Sequence, residues 1–213
     1  MVSGNCALSS FPCRERTTAR EAADAHDRLT IARILKVNHA GEYGAIRIYR
    51  AQLWVARRWY PDIVPFLEQT LGHEIGHCAM FRGAMPERSA RPCRATVLWG
   101  NGGLILGFFT ALMGREGIWI CTAAVEGAVH RHLDDQLFFL RERDLELHAL
   151  IAAIQAEELH HLDYAEERIT TRSLWKRSLS GFISVATDLV IWLSTWGDST
   201  RMARELAAAR NAR

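Results

Sequence analysis

A chain of 213 residues, 49% hydrophobic and 23% charged, is long enough to bury one sizeable core and too apolar to be disordered. Its formal net charge of +2, with no long basic run, argues against a nucleic-acid partner. Five cysteines (Cys6, Cys13, Cys78, Cys93 and Cys121) form no CxxC pair and are odd in number, which fits a reducing compartment and speaks against a disulfide scaffold or a cysteine-held zinc.

The first 28 residues mix Arg14, Arg16 and Arg20 with Glu15, Glu21 and Asp24. They lack the apolar run of a signal peptide and the acid-poor composition of a transit peptide, and they read as a loosely ordered lead-in ending near Leu29. From Ile31 to Trp59, the positions Ile34, Leu35, Asn38, Glu42, Ile46, Tyr49 and Leu53 recur at steps of three and four, which predicts one helix face. Pro61 and Pro65 restart the chain, and a second periodic run follows through Phe66, Leu67, Leu71, Glu74, Cys78 and Phe81. Pro86 and Pro92 bracket a polar loop. Residues 116–143 and 144–170 read as two further helices, with no breaker to mark their boundary before Arg141.

Two segments stand apart. Residues 97–113 carry no charge but include Gly100, Gly102, Gly103 and Gly107, which suit a close-packed or surface-inserted segment better than an independent transmembrane helix. In 179–196, Leu179, Phe182, Ile183, Ala186, Leu189, Val190 and Leu193 share one helix face, and Asp188 interrupts the run, where a membrane-centred charge costs roughly 2.5–3.5 kcal/mol. Core packing and membrane-surface contact both account for these stretches. Residues 197–213 read as a tail after a single domain spanning 29–196.

The stretch LGHEIGH (71–77) has two chemical readings. His73, Glu74 and His77 match the H-E-x-x-H of a zinc protease, whereas Glu74 and His77 alone form the E-x-x-H half of a two-metal carboxylate site. The rest of the chain decides between them. Glu42, Glu74 and His77 recur as Glu126, Glu158 and His161, each displaced by 84 positions. Each set supplies one glutamate and then an E-x-x-H whose imidazole lies about 60° round the same helix face. In an all-α, ferritin-like four-helix bundle this gives four carboxylates and two imidazoles around the axis, the donor set of di-iron and di-manganese proteins.

A lone E-x-x-H on a helix is usually a solvated surface pair. Six positions in two equally spaced sets on otherwise apolar faces are not, because four buried glutamates without cations would be too costly. The oxygen-rich set with one imidazole per metal favours iron or manganese over zinc. The repeat also selects Glu158/His161 over the equally spaced Glu157/His160. The protease reading lacks a third ligand and leaves the second half of the repeat without a purpose.

With these positions fixed, NHAGEYGAIRIY (38–49), CTAAVEGAVHRH (121–132) and EELHHLDYA (157–165) resemble the demethoxyubiquinone hydroxylases of ubiquinone biosynthesis, over most of the chain from Leu29 to Trp196. The resemblance implies that Glu42, Glu74, His77, Glu126, Glu158 and His161 are the metal-binding and catalytic set, holding two iron ions. It implies a monooxygenase that uses O2 and an external electron donor such as NADH to hydroxylate the ring of a demethoxylated polyprenyl benzoquinone. It further implies a peripheral protein on the cytoplasmic face of a bacterial inner membrane, or the matrix face of the mitochondrial one, in contact with a ubiquinone-biosynthesis complex and not with nucleic acid. Two departures stand out. Leu133 occupies a position where the family often has Tyr, and EELHHLD replaces the commoner EELEHHD. His132, His39, Tyr43, Asp135 and Asp163 are candidates for supporting the ligands, while Tyr49, Trp54 and Trp59 read as packing. Outside the hydroxylase class, an iron-storage or peroxide-scavenging ferritin-like protein predicts a polar, cage-forming exterior, and a di-iron tRNA hydroxylase predicts a basic patch.

Overall fold

The computed structural model describes residues 12–170 and 174–211. Among them there are seven α-helices and no strand: α1 (Pro12–Trp59), α2 (Val64–Ala84), α3 (Thr96–Leu112), α4 (Arg115–Leu140), α5 (Leu145–Arg168), α6 (Leu174–Ser194) and α7 (Asp198–Asn211). Short 3-10 turns at Pro61–Ile63 and Pro86–Arg88 follow α1 and α2, each opened by a proline whose missing N–H is no loss at a first turn. Helices α1, α2, α4 and α5 form the four-helix bundle, with α1 packed on α2, α4 on α5, and the two pairs meeting along α2–α5 and α1–α4. The expected all-α, ferritin-like fold is present.

Helix boundaries follow local chemistry. Asp144 ends the ambiguity after Arg141 by capping α5, its side chain accepting from the Leu147 N–H at 2.9 Å. The same carboxylate takes a two-pronged bond from Arg88, at 2.6 and 3.0 Å, which ties the end of α2 to the start of α5. Gly197, at a φ of 75°, returns its N–H to the Trp192 carbonyl at 3.0 Å and closes α6.

Both chain ends depart from expectation. Helix α1 starts at Pro12 rather than near Leu29, so the described part of the lead-in, from residue 12 onward, is helical; residues 1–11 lie outside those described. The segment after Gly197 is a helix and not a tail. Met202 and Leu206 are buried in the apolar cluster with Ile34, Leu35 and Leu140, and Asp198 takes a 2.6 Å bond from Lys36 of α1. Two apolar residues one turn apart in an otherwise arginine- and alanine-rich stretch are too sparse to signal this from sequence.

The glycines of α3 do what their spacing suggests. A Cβ on Gly103 would sit 2.6 Å from the Gly44 carbonyl oxygen, and one on Gly107 would sit 2.3 Å from that of Ile48, so α3 lies directly against the α1 backbone. The opposite face of α3 is unburied, with Val97, Ile105 and Phe109 among its exposed residues. The face expected for α6 is divided. Ile183 is buried, while Phe182, Leu189 and Leu193, with Val185, Trp192 and Trp196, are exposed; the Asp188 side chain lies outside those described. No described helix is long and apolar enough to cross a membrane.

Candidate metal centre

Two apolar clusters fill the bundle. One holds Leu35, Phe81, Leu133 and Ile154, and the other holds Tyr49, Leu67, Ile118 and Ala165. Along each bundle helix a glutamate falls between a residue of the first cluster and one of the second: Glu42 on α1, Glu74 on α2, Glu126 on α4 and Glu158 on α5. One helical turn after the latter member of each half come His77 and His161. All six are buried. The structure brings them together in two groups of four, Glu42, Glu74, His77 and Glu158, then Glu74, Glu126, Glu158 and His161, with one donor atom from each residue within 4.8 Å of the others in its group. Glu74 and Glu158 belong to both groups.

The electrostatics of this cluster suit a cation. Burial, followed by the charge of Glu158, pushes the Glu42 carboxyl up to about 8, and the same two causes hold Glu74 and Glu126 well above the usual carboxylate range. Burial opposes ionisation of Glu158 as well, but the imidazoles of His161 and His77 outweigh it and hold that carboxyl below its usual range. Burial likewise disfavours a charged His77, and the carboxylates of Glu158 and Glu42 overcome it, raising His77 to about 9. His77 Nδ1 lies 2.8 Å from Glu158 Oε1, yet without the alignment of a hydrogen bond. Glu74 Oε1, both oxygens of Glu158, His77 Nδ1 and His161 Nδ1 are buried with no hydrogen-bond partner. Buried polar atoms are rarely left so, and these converge on one interior point. The residues fit a pair of divalent cations: four carboxylates balance the charge, and each group contributes one imidazole.

The supporting residues differ from those expected. The phenol of Tyr49, read from sequence as packing, donates a short hydrogen bond to Glu126 Oε1. His77 Nε2 meets Glu157 Oε2 at 3.0 Å, and His161 Nε2 meets His73 Nδ1 at 2.9 Å. Of the five candidates, four do not touch the cluster in this way, and the fifth, His132, lines the cavity beside it. Asp135 accepts from Arg210 at 2.6 Å, Asp163 is exposed, Tyr43 packs beneath Gly100, and buried His39 has an unpartnered Nδ1. A step of four places His73 beside His77, and Glu157 beside His161, on one stripe of each helix; that spacing was the available signal. His73 stands outside both donor groups and against a ligand-side imidazole, which removes the zinc-protease arrangement. Trp54 and Trp59, also expected to pack, are exposed.

A cavity of about 430 Å³ leads to the cluster. Ile48, Leu106, Phe109 and Val125 line its walls, and Glu42, Glu74, Glu126 and Glu158 reach it from the bundle interior. Phe182 and Thr187 of α6, Asn38 of α1 and His132 of α4 complete the lining. Leu133 also borders the space and is itself buried.

The chain is 36% identical over 181 residues, 85% of both chains, to a protein of Rhodospirillum rubrum named 3-demethoxyubiquinol 3-hydroxylase. It is 34% identical over 194 residues, 88% of both chains, to the human mitochondrial NADPH-dependent 3-demethoxyubiquinone 3-hydroxylase. A yeast mitochondrial 5-demethoxyubiquinone hydroxylase is 34% identical over 188 residues, covering 76% of this chain and 81% of its own. Residues 29–194, which include the cluster and every residue lining the cavity, match the family of the ubiquinone biosynthesis protein COQ7, and the chain belongs to that family.

Proposed function

We propose that this chain is a di-iron monooxygenase that hydroxylates the ring of a demethoxylated polyprenyl benzoquinone in ubiquinone biosynthesis. The observation that carries the reading is the joint geometry of cavity and cluster: an apolar cavity of about 430 Å³, walled by α1, α3, α4 and α6, ends on the four carboxylates. Glu42 and His77 would hold one ion and Glu126 and His161 the other, with Glu74 and Glu158 shared. Iron is favoured by the oxygen-rich set, and when reduced it supplies activation of O2 for insertion of one oxygen into the ring.

The protein residues provide the rest. Ile48, Leu106 and Phe109 desolvate the ring and exclude bulk water from the cluster. Tyr49 fixes the orientation of the Glu126 carboxylate through its hydrogen bond. The exposed apolar faces of α3 and α6 flank the cavity, and Phe109 and Phe182 belong to both. That continuity suits a substrate whose isoprenoid tail stays in lipid while its ring enters the protein, and it supports peripheral attachment to the membrane that carries the quinone pool. NADPH dependence is named for several relatives; a nicotinamide cofactor as external electron source, and a ubiquinone-biosynthesis complex as partner, are parts of this proposal. A storage or scavenging ferritin-like protein would not need such a passage, and a tRNA hydroxylase would need a basic one.

The test is a single-turnover assay. Protein loaded with Fe(II) is mixed with O2, a nicotinamide reductant and a short-tailed demethoxyubiquinone, and products are read by mass spectrometry. A quinone heavier by one oxygen atom, labelled by 18O2, is expected. Iron uptake with no labelled quinone under reducing conditions would sink the proposal.

A further inference from the structure

Positions 73 and 157 are also related by the 84-residue offset. Each precedes the glutamate of its E-x-x-H, and each crosses the α2–α5 seam to meet the imidazole of the other half: Glu157 Oε2 on His77 Nε2 at 3.0 Å, His73 Nδ1 on His161 Nε2 at 2.9 Å. The two crossings touch one another, with His73 Nδ1 3.8 Å from Glu157 Oε2 and the His73 and His161 rings stacked at 5.1 Å. The seam lies across the bundle from the cavity, whose walls come from α1, α3, α4 and α6, and there the side chains of His73 and Glu157 reach solvent at 32% and 49% exposure.

The geometry is two-fold but the chemistry is not. With a cation held at the inward-facing Nδ1 of each buried imidazole, Nε2 would carry the ring proton and donate it across the seam. His77 would then donate to a carboxylate and His161 to an imidazole. A carboxylate acceptor makes the donor ring a stronger ligand and fixes it more firmly. We infer that His73 and Glu157 are positioning residues that make the two metal positions unequal, the position served by His77 binding a divalent ion more tightly than that served by His161. The inference rests on the two-metal reading of the cluster.

The experiment titrates Mn2+ into the metal-free full-length chain at one fixed pH, with free Mn2+ followed by electron paramagnetic resonance and folding by circular dichroism. Two steps of different affinity are expected. Glu157→Gln should weaken the tighter step by about tenfold and leave the weaker one alone, and His73→Ala should do the reverse. His73→Gln, which keeps a neutral acceptor, should restore the weaker step, and His73→Glu should draw the two affinities together. If His73→Glu does not fold, the Glu157→Gln and His73→Gln pair decides alone. Two equal steps in the unaltered chain, or equal weakening of both steps by either substitution, would overturn the inference while leaving the two-metal reading intact. No Mn2+ binding by a folded chain would overturn that reading, and the inference with it.

Discussion

Tyr49 illustrates how much of the site depends on single hydrogen bonds. Its side chain sits in the apolar cluster that a periodic helix face predicts, and only the phenol oxygen, reaching Glu126, has a chemical task. Tyr49→Phe keeps the packing and deletes that task. The variant is expected to fold normally and to lose bound iron to a chelator about tenfold more readily, as metal analysis after dialysis would show. The buried acids also set a pH dependence. Glu42 is raised to about 8 from an ordinary value near 4.5, so its contribution to stability is complete below about 4.5 and is lost as pH rises through 8. His77, raised to about 9 from 6.5, contributes fully below 6.5 and loses that contribution through 9. Both slopes run the same way between 6.5 and 8. Metal-free protein should therefore melt at a lower temperature at pH 8 than at pH 6.5, and added Mn2+ should raise the melting temperature more at pH 8, where its ligands are closer to deprotonated. A flat or rising profile for the metal-free chain would contradict the arrangement described.

Between elements, α3 lies directly on α1, and it can do so because glycine stands at 103 and 107. A methyl group at Gly107 has no room, since it would lie 2.3, 2.8 and 2.9 Å from the O, Cα and C atoms of Ile48. Gly107→Ala should push α3 away from α1, cost about 1–3 kcal/mol in urea unfolding, and disturb the cavity that both helices line. Gly83, inside α2 with open space around its Cβ position, is the control. There alanine should stabilise the protein by about 0.5–1 kcal/mol through helix propensity alone. The α4–α5 boundary shows the same reliance on one residue, since the break that no apolar pattern marked is made by Asp144 as a cap and as the anchor for Arg88.

At the scale of the whole molecule, the apolar surface is concentrated where the cavity lies. Val97, Ile105 and Phe109 on α3 and Phe182, Val185 and Trp192 on α6, with Trp196 in the turn after it, are exposed, and none of the described helices is long and apolar enough to cross a membrane. The peripheral attachment proposed above has a direct test at this scale. The protein should float with liposomes and be released by carbonate, and Phe109→Asp with Phe182→Asp should abolish flotation while iron binding persists. Retention after carbonate treatment would refute this mode of attachment. Helix α7 matters at the same scale: Met202→Ala should cost about 2–5 kcal/mol, because the side chain is buried among residues of α1 and α4.

The sequence by itself determined the helical class, four bundle helices to within a few residues apart from the start of α1, and the six inward positions, because helical periodicity and an 84-residue internal offset are one-dimensional facts that survive without coordinates. It left the glycines of α3 open between close packing and surface insertion. Tertiary structure alone decided the partners that lie across a seam. Tyr49 on Glu126, Glu157 on His77 and His73 on His161 join residues between 77 and 88 positions apart, and which side chain meets which depends on helix rotation and depth that no single helix encodes. The fate of the apolar stretches was decided there too. A hydrophobic face states only that water is unfavourable; whether protein or something else covers it depends on what packs alongside, and for much of α3 and α6 no part of the described chain does.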